Sequence, residues 1–118
     1  MKTITRLSAL LSLLLLTVAW APDRVNAASD IAAMIANAKT AADHQAIAAY
    51  YDKEAASANE AAAVHRKMLV AIKSQGGPAI AKWHMDTHCQ QLIEQYESAA
   101  KMYTDMAAAH REMAKDAK

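Results

Sequence analysis

Residues 72–80 read Ile-Lys-Ser-Gln-Gly-Gly-Pro-Ala-Ile, and this short stretch decides the fold. Gly76 and Gly77 are the only two glycines of the chain. Glycine readily adopts the left-handed conformation that ends a helix, and proline is favoured in the first turn of one. The stretch therefore predicts that one helix ends near Gln75 and that the next begins at Pro78.

Outward from this turn, the sequence predicts an all-α fold. No segment alternates β-branched and aromatic residues in the manner of a strand. Thr40 followed by Asp43 resembles a capping box that starts a long helix. We therefore predict an antiparallel two-helix hairpin over residues 40–118, with helices at 40–75 and 78–116. A short N-terminal helix and linker, residues 28–39, precede it, with Ser29 and Asp30 as the helix cap.

Apolar and aromatic residues recur at three- and four-residue steps along both long helices, as in an antiparallel coiled coil. These positions predict a seam, meaning the row of residues on each helix that faces the other helix. On the first helix the predicted seam is His44, Ile47, Tyr51, Glu54, Ala58, Ala61, His65, Met68 and Ile72. On the second helix it is Met85, Cys89, Leu92, Tyr96, Ala99, Tyr103, Met106, His110 and Met113.

Such a seam is rich in alanine and buries little apolar area for the chain entropy that it must offset. Two sources could supply the missing contacts. One is the short N-terminal helix folded back on the hairpin, and the other is a second copy of the chain. We expect a homodimer that forms a four-helix bundle.

The first residues resemble an export signal. Lys2 and Arg6 precede an apolar run at residues 7–18, which is too short to span a bilayer comfortably. The small residues Val25-Asn26-Ala27 favour cleavage after Ala27, so residues 1–27 are predicted to be a signal peptide. The expected location is periplasmic or secreted, with no membrane anchor after cleavage.

Charge limits the choice of partners. Without residues 1–27 the chain keeps ten basic and eleven acidic residues, a net charge of −1. Nucleic-acid binding depends on neutralising phosphates, so this balance argues against nucleic acid. The same balance argues against an anionic membrane surface. No set of a nucleophile, base and orienting group occurs either, and we expect a protein that is not an enzyme.

The candidate metal ligands fall on both sides of the predicted turn. Folding at Gly77 brings residues together when their numbers add to about 153, within one helical turn. His65 and Met68 on one arm then meet the other arm at one level of the hairpin. The candidate ligands of this turn-end cluster are His65, Met68, Met85, His88 and Cys89.

Thiolate, thioether and imidazole ligands together favour Cu(I). Zinc is the second choice, held by Cys89, His65 and His88 with a fourth ligand from His84, water or another chain. A b-type haem with a His–Met axial pair is the third. The alternative from a different functional class is a helical scaffold or adaptor protein that binds no metal.

A second candidate cluster lies at the open end of the hairpin, where the chain enters and leaves it. The same numbering rule brings His44 opposite residues 109–113. His44, Met106, His110 and Met113 are therefore expected to gather there. The alternative interpretation is that these side chains bind no metal, and that His44 and His110 are partly exposed residues near fraying helix ends.

The pattern over residues 40–114 resembles small exported, periplasmic helical-hairpin proteins of bacteria. The motifs that carry this resemblance are Tyr50-Tyr51, His65-Arg66-Lys67-Met68, His88-Cys89, Tyr96 and His110. The resemblance implies export and a helical architecture. It implies no activity.

Overall fold

The computed structural model describes residues 23–117, which form four α-helices and no strand. They are α1 (Asp23–Asn37), α2 (Ala41–Gln75), α3 (Pro78–Trp83) and α4 (Met85–Asp116). The long helices α2 and α4 pack against each other along their length. The predicted all-α hairpin is thus confirmed. Residues 1–22 of the predicted signal peptide lie outside the described residues, as does Lys118.

The start of α2 is fixed by the predicted capping box. The backbone N–H of Asp43 donates to Thr40 Oγ1 at 3.1 Å, and the N–H of Thr40 donates to Asp43 Oδ2 at 2.9 Å. The N–H of Lys39 donates to the same carboxylate oxygen at 3.0 Å. The bonds from the backbone of Lys39 and Thr40 lower the pKa of Asp43 below its usual value. These bonds satisfy amides that a helix start leaves without partners.

The turn between the arms also follows the prediction. Gly76 has φ 59° and Gly77 has φ 104°, both in the region that side chains rarely occupy. The N–H of Gly76 donates to the carbonyl of Ile72 at 3.1 Å, which closes the last turn of α2. Pro78 then occupies the first turn of α3.

The predicted helix over 78–116 is wrong in one respect, because it is broken at His84. His84 adopts a left-handed conformation, with φ 49° and ψ 38°. Its N–H donates to the carbonyl of Ile80 and ends α3, and its own carbonyl accepts the N–H of His88 at 3.0 Å to begin α4. Histidine is among the few non-glycine residues enriched in this conformation, so the break needs no glycine.

About half of the predicted seam positions of α2 are correct, and the others are shifted by one residue toward the C-terminus. His44, Tyr51, Ala58, His65 and Ile72 lie on it as expected. Between them, however, the seam passes through buried Ala48, Ala55 and Ala62 and half-buried Leu69. Positions 54, 61 and 68 therefore lie on its flank. Ile47 is buried as predicted, but beside the seam.

Helix α4 shows the same correction. Its seam holds Cys89, Tyr96, Tyr103 and His110 as predicted, but the intervening positions are Ile93, Ala100, Ala107 and Ala114. The predicted Met106 and Met113 are 41% and 49% exposed. Small alanines at the closest approach let the two helices come together, and the bulkier side chains lie at the flanks.

The short N-terminal helix makes a small contact with α2 at the open end of the hairpin. Ile31 and Ala38 pack against the core cluster of Ile47, Ala48, Tyr51 and Ala107. Ser29 and Asp30 lie in the interior of α1, so the predicted helix cap at these residues is wrong. Met34 and Ile35 of the same helix are 38% and 43% exposed, so most of its apolar surface stays open.

The turn end is packed much more loosely than the open end. No residue between Ala62 and Cys89 is buried, and both α3 and the last part of α2 lack a buried side chain. Salt bridges on the outer surface, Arg66 to Glu97 and Arg111 to Asp52, tie the arms together. Exposed pairs of this kind contribute little stability. Within residues 23–117 no helix has the length and apolarity to cross a bilayer.

Candidate metal sites at two levels of the hairpin

The open-end cluster contains a direct contact between histidines from the two arms. His44 Nδ1 lies 3.1 Å from His110 Nδ1, and the ring centroids are 5.4 Å apart. One of the two nitrogens must carry a proton for the other to accept it. The sequence predicted this pairing from the position of the turn alone.

Aromatic rings hold the histidine pair in place. The ring of Tyr51 stacks on His110, with centroids 5.9 Å apart, and also on Tyr103 at 6.2 Å. Both histidines are half-buried. Burial, and next the charge of His44, hold the pKa of His110 below its ordinary value of 6.5. The neutral imidazole, which is the form that binds metals, is favoured as a result.

Met106 and Met113 flank this pair without entering the seam. They lie four residues before and three residues after His110, so they share its side of α4. Their exposure of 41% and 49% leaves both thioethers accessible from solvent. The structure therefore brings His44 and His110 together and places the two methionines beside them.

At the turn-end cluster, His65 lies at the interface between the arms. Its ring stacks on Tyr96 with centroids 5.6 Å apart and planes within 17°. Its Nδ1 atom is buried and has no hydrogen-bond partner. A buried nitrogen without a partner is unusual, since such a group costs free energy.

The register of the hairpin puts Cys89 at the same level of the seam as His65. Tyr51 contacts both Tyr103 and His110, which are one heptad apart on α4. Two heptads nearer the turn, His65 takes the position of Tyr51 on α2. Cys89 and Tyr96 take the positions of Tyr103 and His110 on α4. Cys89 is a free thiol with only 6% exposure. The seam therefore holds an imidazole and a thiol in the same layer.

The other three candidates of the turn-end cluster lie outside this layer. Met68 is 45% exposed, Met85 is 43% exposed, and His88 is also exposed. Met68 lies off the seam because Leu69 occupies that position. Met85 is the first residue of α4, directly after the break at His84.

Among residues 23–117, no three His, Cys, Asp or Glu side chains come together in a way that could hold a metal ion. Each of the two layers offers two such ligands. Any further ligand would have to be a thioether, water or a group from another chain. Two-ligand layers with nearby thioethers suit a soft ion of low coordination number better than an oxygen-seeking ion.

The heptad pattern predicts Tyr51 and Tyr96 on the seam but does not indicate that they contact the candidate ligands. The structure shows that each stacks on a candidate histidine. The available signal was the spacing of Cys89, Tyr96, Tyr103 and His110, which are all one heptad apart. Repeated aromatic and ligand residues at one heptad position predict stacking along the seam.

Comparison with known proteins finds no matching protein family, no similar curated protein and no similar solved structure.

Proposed function

We propose that this chain is an exported metal-binding helical hairpin that binds or buffers Cu(I). The observation that carries the proposal is the 3.1 Å approach of His44 Nδ1 to His110 Nδ1 between two helices. Two imidazole nitrogens this close share one proton, and a metal cation can take the place of that proton.

The separation of the nitrogens is close to what one ion requires. At metal–nitrogen distances of about 2.0–2.1 Å, two tetrahedral ligands are roughly 3.3 Å apart, and two linear ligands are roughly 4 Å apart. A small movement of two half-buried rings covers either difference. The lowered pKa of His110 also reduces competition from protons near neutral pH.

The thioethers favour copper over zinc as the ion. Met106 and Met113 lie beside the histidine pair and are accessible. Thioether sulfur is a soft ligand that selects Cu(I), whereas zinc prefers thiolate, imidazole and carboxylate. At the turn end, the layer of His65 and Cys89 supplies an imidazole and a thiol for a second ion, with zinc as the competing choice.

The seam argues against haem as the ligand. Ala62 and Ala107 are fully buried where the helices meet, which indicates a close approach of the two backbones. A porphyrin between the arms would have to separate them. The His–Met haem site therefore ranks behind both metal ions.

The test is a Cu(I) titration against a competing chelator, with the protein as recovered from the periplasm. Three variants are compared with the wild type: His44→Ala/His110→Ala, His65→Ala/Cys89→Ala, and Met102→Ala. Met102 is the control because its thioether is 58% exposed and belongs to neither cluster. The first two variants should each lose one tight site, and the control should lose none.

Equal uptake by all four proteins would contradict the proposal. The scaffold or adaptor function would then be the better explanation. That alternative is supported by exposed apolar side chains such as Met102, which is 58% exposed. A homodimer, the partner that we propose for this surface, would appear in sedimentation as a concentration-dependent mass in every variant.

A further inference from the structure

We propose that the turn end of the hairpin is a binding surface for anionic phospholipid. We call it the basic tip and define it as residues 64–85, which include the end of α2, the Gly-Gly turn and α3. This inference is independent of metal binding. It rests on the segregation of charge and apolar surface along the molecule.

Charge is segregated sharply at the basic tip. Between Glu60 and Asp86 the chain carries four cations and no carboxylate. Arg66 pairs with Glu97 on α4. The other three, Lys67, Lys73 and Lys82, are all exposed, and the described residues offer them no carboxylate partner. The near-neutral net charge of the whole chain conceals this local excess, so the sequence argument against an anionic surface does not hold for the tip.

The same segment exposes large apolar side chains. Val70 is 69% exposed and Trp83 is 64% exposed, the two largest values among the exposed large hydrophobic residues. Val64, Met68 and Met85 are between 43% and 49% exposed. These five residues lie on both sides of the Gly-Gly turn, so apolar surface and positive charge occur in the same segment.

A lipid headgroup region matches both features at once. Tryptophan is enriched at membrane interfaces, and lysine places its charge among the headgroups while its aliphatic stem covers apolar surface. Lys82 Nζ already lies over the ring of Trp83, 5.3 Å from its centroid. A nucleic acid or an acidic protein would also attract the lysines. Neither offers an apolar phase for Val70, and this favours the bilayer surface.

The lysines should set most of the affinity. Each lysine near an anionic surface strengthens binding roughly fivefold, so three contribute on the order of a hundredfold. The attraction should weaken steeply with salt, because the screening length shrinks from about 10 Å at 0.1 M to about 3 Å at 1 M.

The experiment is cosedimentation of the protein, as recovered from expressing cells, with phospholipid vesicles. Vesicles of equal phosphatidylglycerol and phosphatidylcholine are compared with vesicles of phosphatidylcholine alone. The tip variant is Lys67→Gln/Lys73→Gln/Lys82→Gln. The matched control, Lys39→Gln/Lys53→Gln/Lys115→Gln, removes the same charge elsewhere. We expect a loss on the order of a hundredfold for the tip variant and less than about threefold for the control.

A second pair of variants tests the apolar contribution. Val70→Ser/Trp83→Ser should weaken binding at least about tenfold, while Met102→Ser, which changes a side chain that is 58% exposed outside the tip, should not. Circular dichroism confirms that each variant is folded. Equal losses in tip and control variants, or equal binding to both vesicle types, would overturn the proposal. So would a dimer that only Val70→Ser/Trp83→Ser disrupts, with no vesicle binding in the wild type, because a second copy would then cover the tip.

Discussion

The substitution Ile47→Ala tests whether the open end contains the core of the protein. Ile47 is the largest side chain with no exposed surface, and it packs with Ala48, Tyr51 and Ala107 beneath Ile31 of α1. The change removes three buried carbons, worth about 0.8 kcal/mol each. The remaining cavity raises the expected loss of unfolding free energy to about 2.5–4 kcal/mol. For a chain of this size, that corresponds to a melting temperature lower by about 10–20 °C.

The assay is thermal and urea unfolding followed by circular dichroism at 222 nm. Val70→Ala is the control, because Val70 is 69% exposed and lies at the other end of the hairpin. The control should change the unfolding free energy by less than about 0.7 kcal/mol. If Ile47→Ala destabilised the protein no more than Val70→Ala, the cluster at the open end would not be the core, and the packing of α1 described above would be refuted.

Three further results are expected. Thr40→Ala should lower the free energy of unfolding by about 1 kcal/mol through loss of the capping box, and exposed Thr87→Ala should not. Burial and His44 lower the folded-state pKa of His110 below 6.5, so the unfolded chain binds that proton more tightly. Stability in urea should therefore be full above pH 6.5 and fall as the pH drops through the folded-state pKa, with a smaller fall in His110→Gln. Buried Cys89 should react with iodoacetamide at least about tenfold more slowly in the folded protein than in urea, and equal rates would contradict its burial.

The helix boundaries with local chemical signals were predictable from sequence. Thr40 and Asp43 form the capping box, and Gly76 and Gly77 adopt the positive φ angles that the turn requires. These signals act over three or four residues, so no tertiary information is needed. No such signal marks the break at His84, because histidine occurs both in helix interiors and in the left-handed conformation, so the residue type alone does not predict a break.

Only about half of the seam positions could be predicted, because the choice between neighbouring positions depends on side-chain size. Heptad spacing leaves a choice between neighbouring positions, and apolarity alone selects Met68, Met106 and Met113. The structure has alanines such as Ala62 and Ala107 there instead, both with no exposed surface, so a longer side chain at these positions would push the helices apart. Hydrophobic periodicity does not give the distance between the helices. A prediction based on it alone therefore assigns bulky residues to the seam too often.

The candidate ligands also differ in how well their positions could be predicted from the sequence. The pairing of His44 with His110 depended only on the position of the turn, and the structure has it. The gathering of Met68, Met85 and His88 around Cys89 depended on which side of each helix faces the other arm. All three are exposed instead. Whether any of these residues binds a metal stays a prediction.

The two histidine layers explain how a seam of alanines can specify one register. Alanines pack almost equally well after a slip of one heptad, so they discriminate weakly between alignments. His44 with His110 and His65 with Cys89 occupy the same heptad position, three heptads or about 31 Å apart along the helix. A slip of one heptad would bring His44 opposite Tyr103 and separate it from His110. His44 and His110 would then lose the hydrogen bond between them, at a cost of about 1–3 kcal/mol.

The proposed metal would act on this same register. His44 and His110 are 66 residues apart in the chain, so an ion bound to both would close a long loop at the open end. An ion that binds only the folded chain stabilises it by about 2.7 kcal/mol at a concentration one hundred times its Kd. That amount is comparable to the whole contribution of Ile47. Register and metal binding would therefore reinforce each other, since only the alignment that pairs the histidines can hold the ion, and the ion disfavours every other alignment.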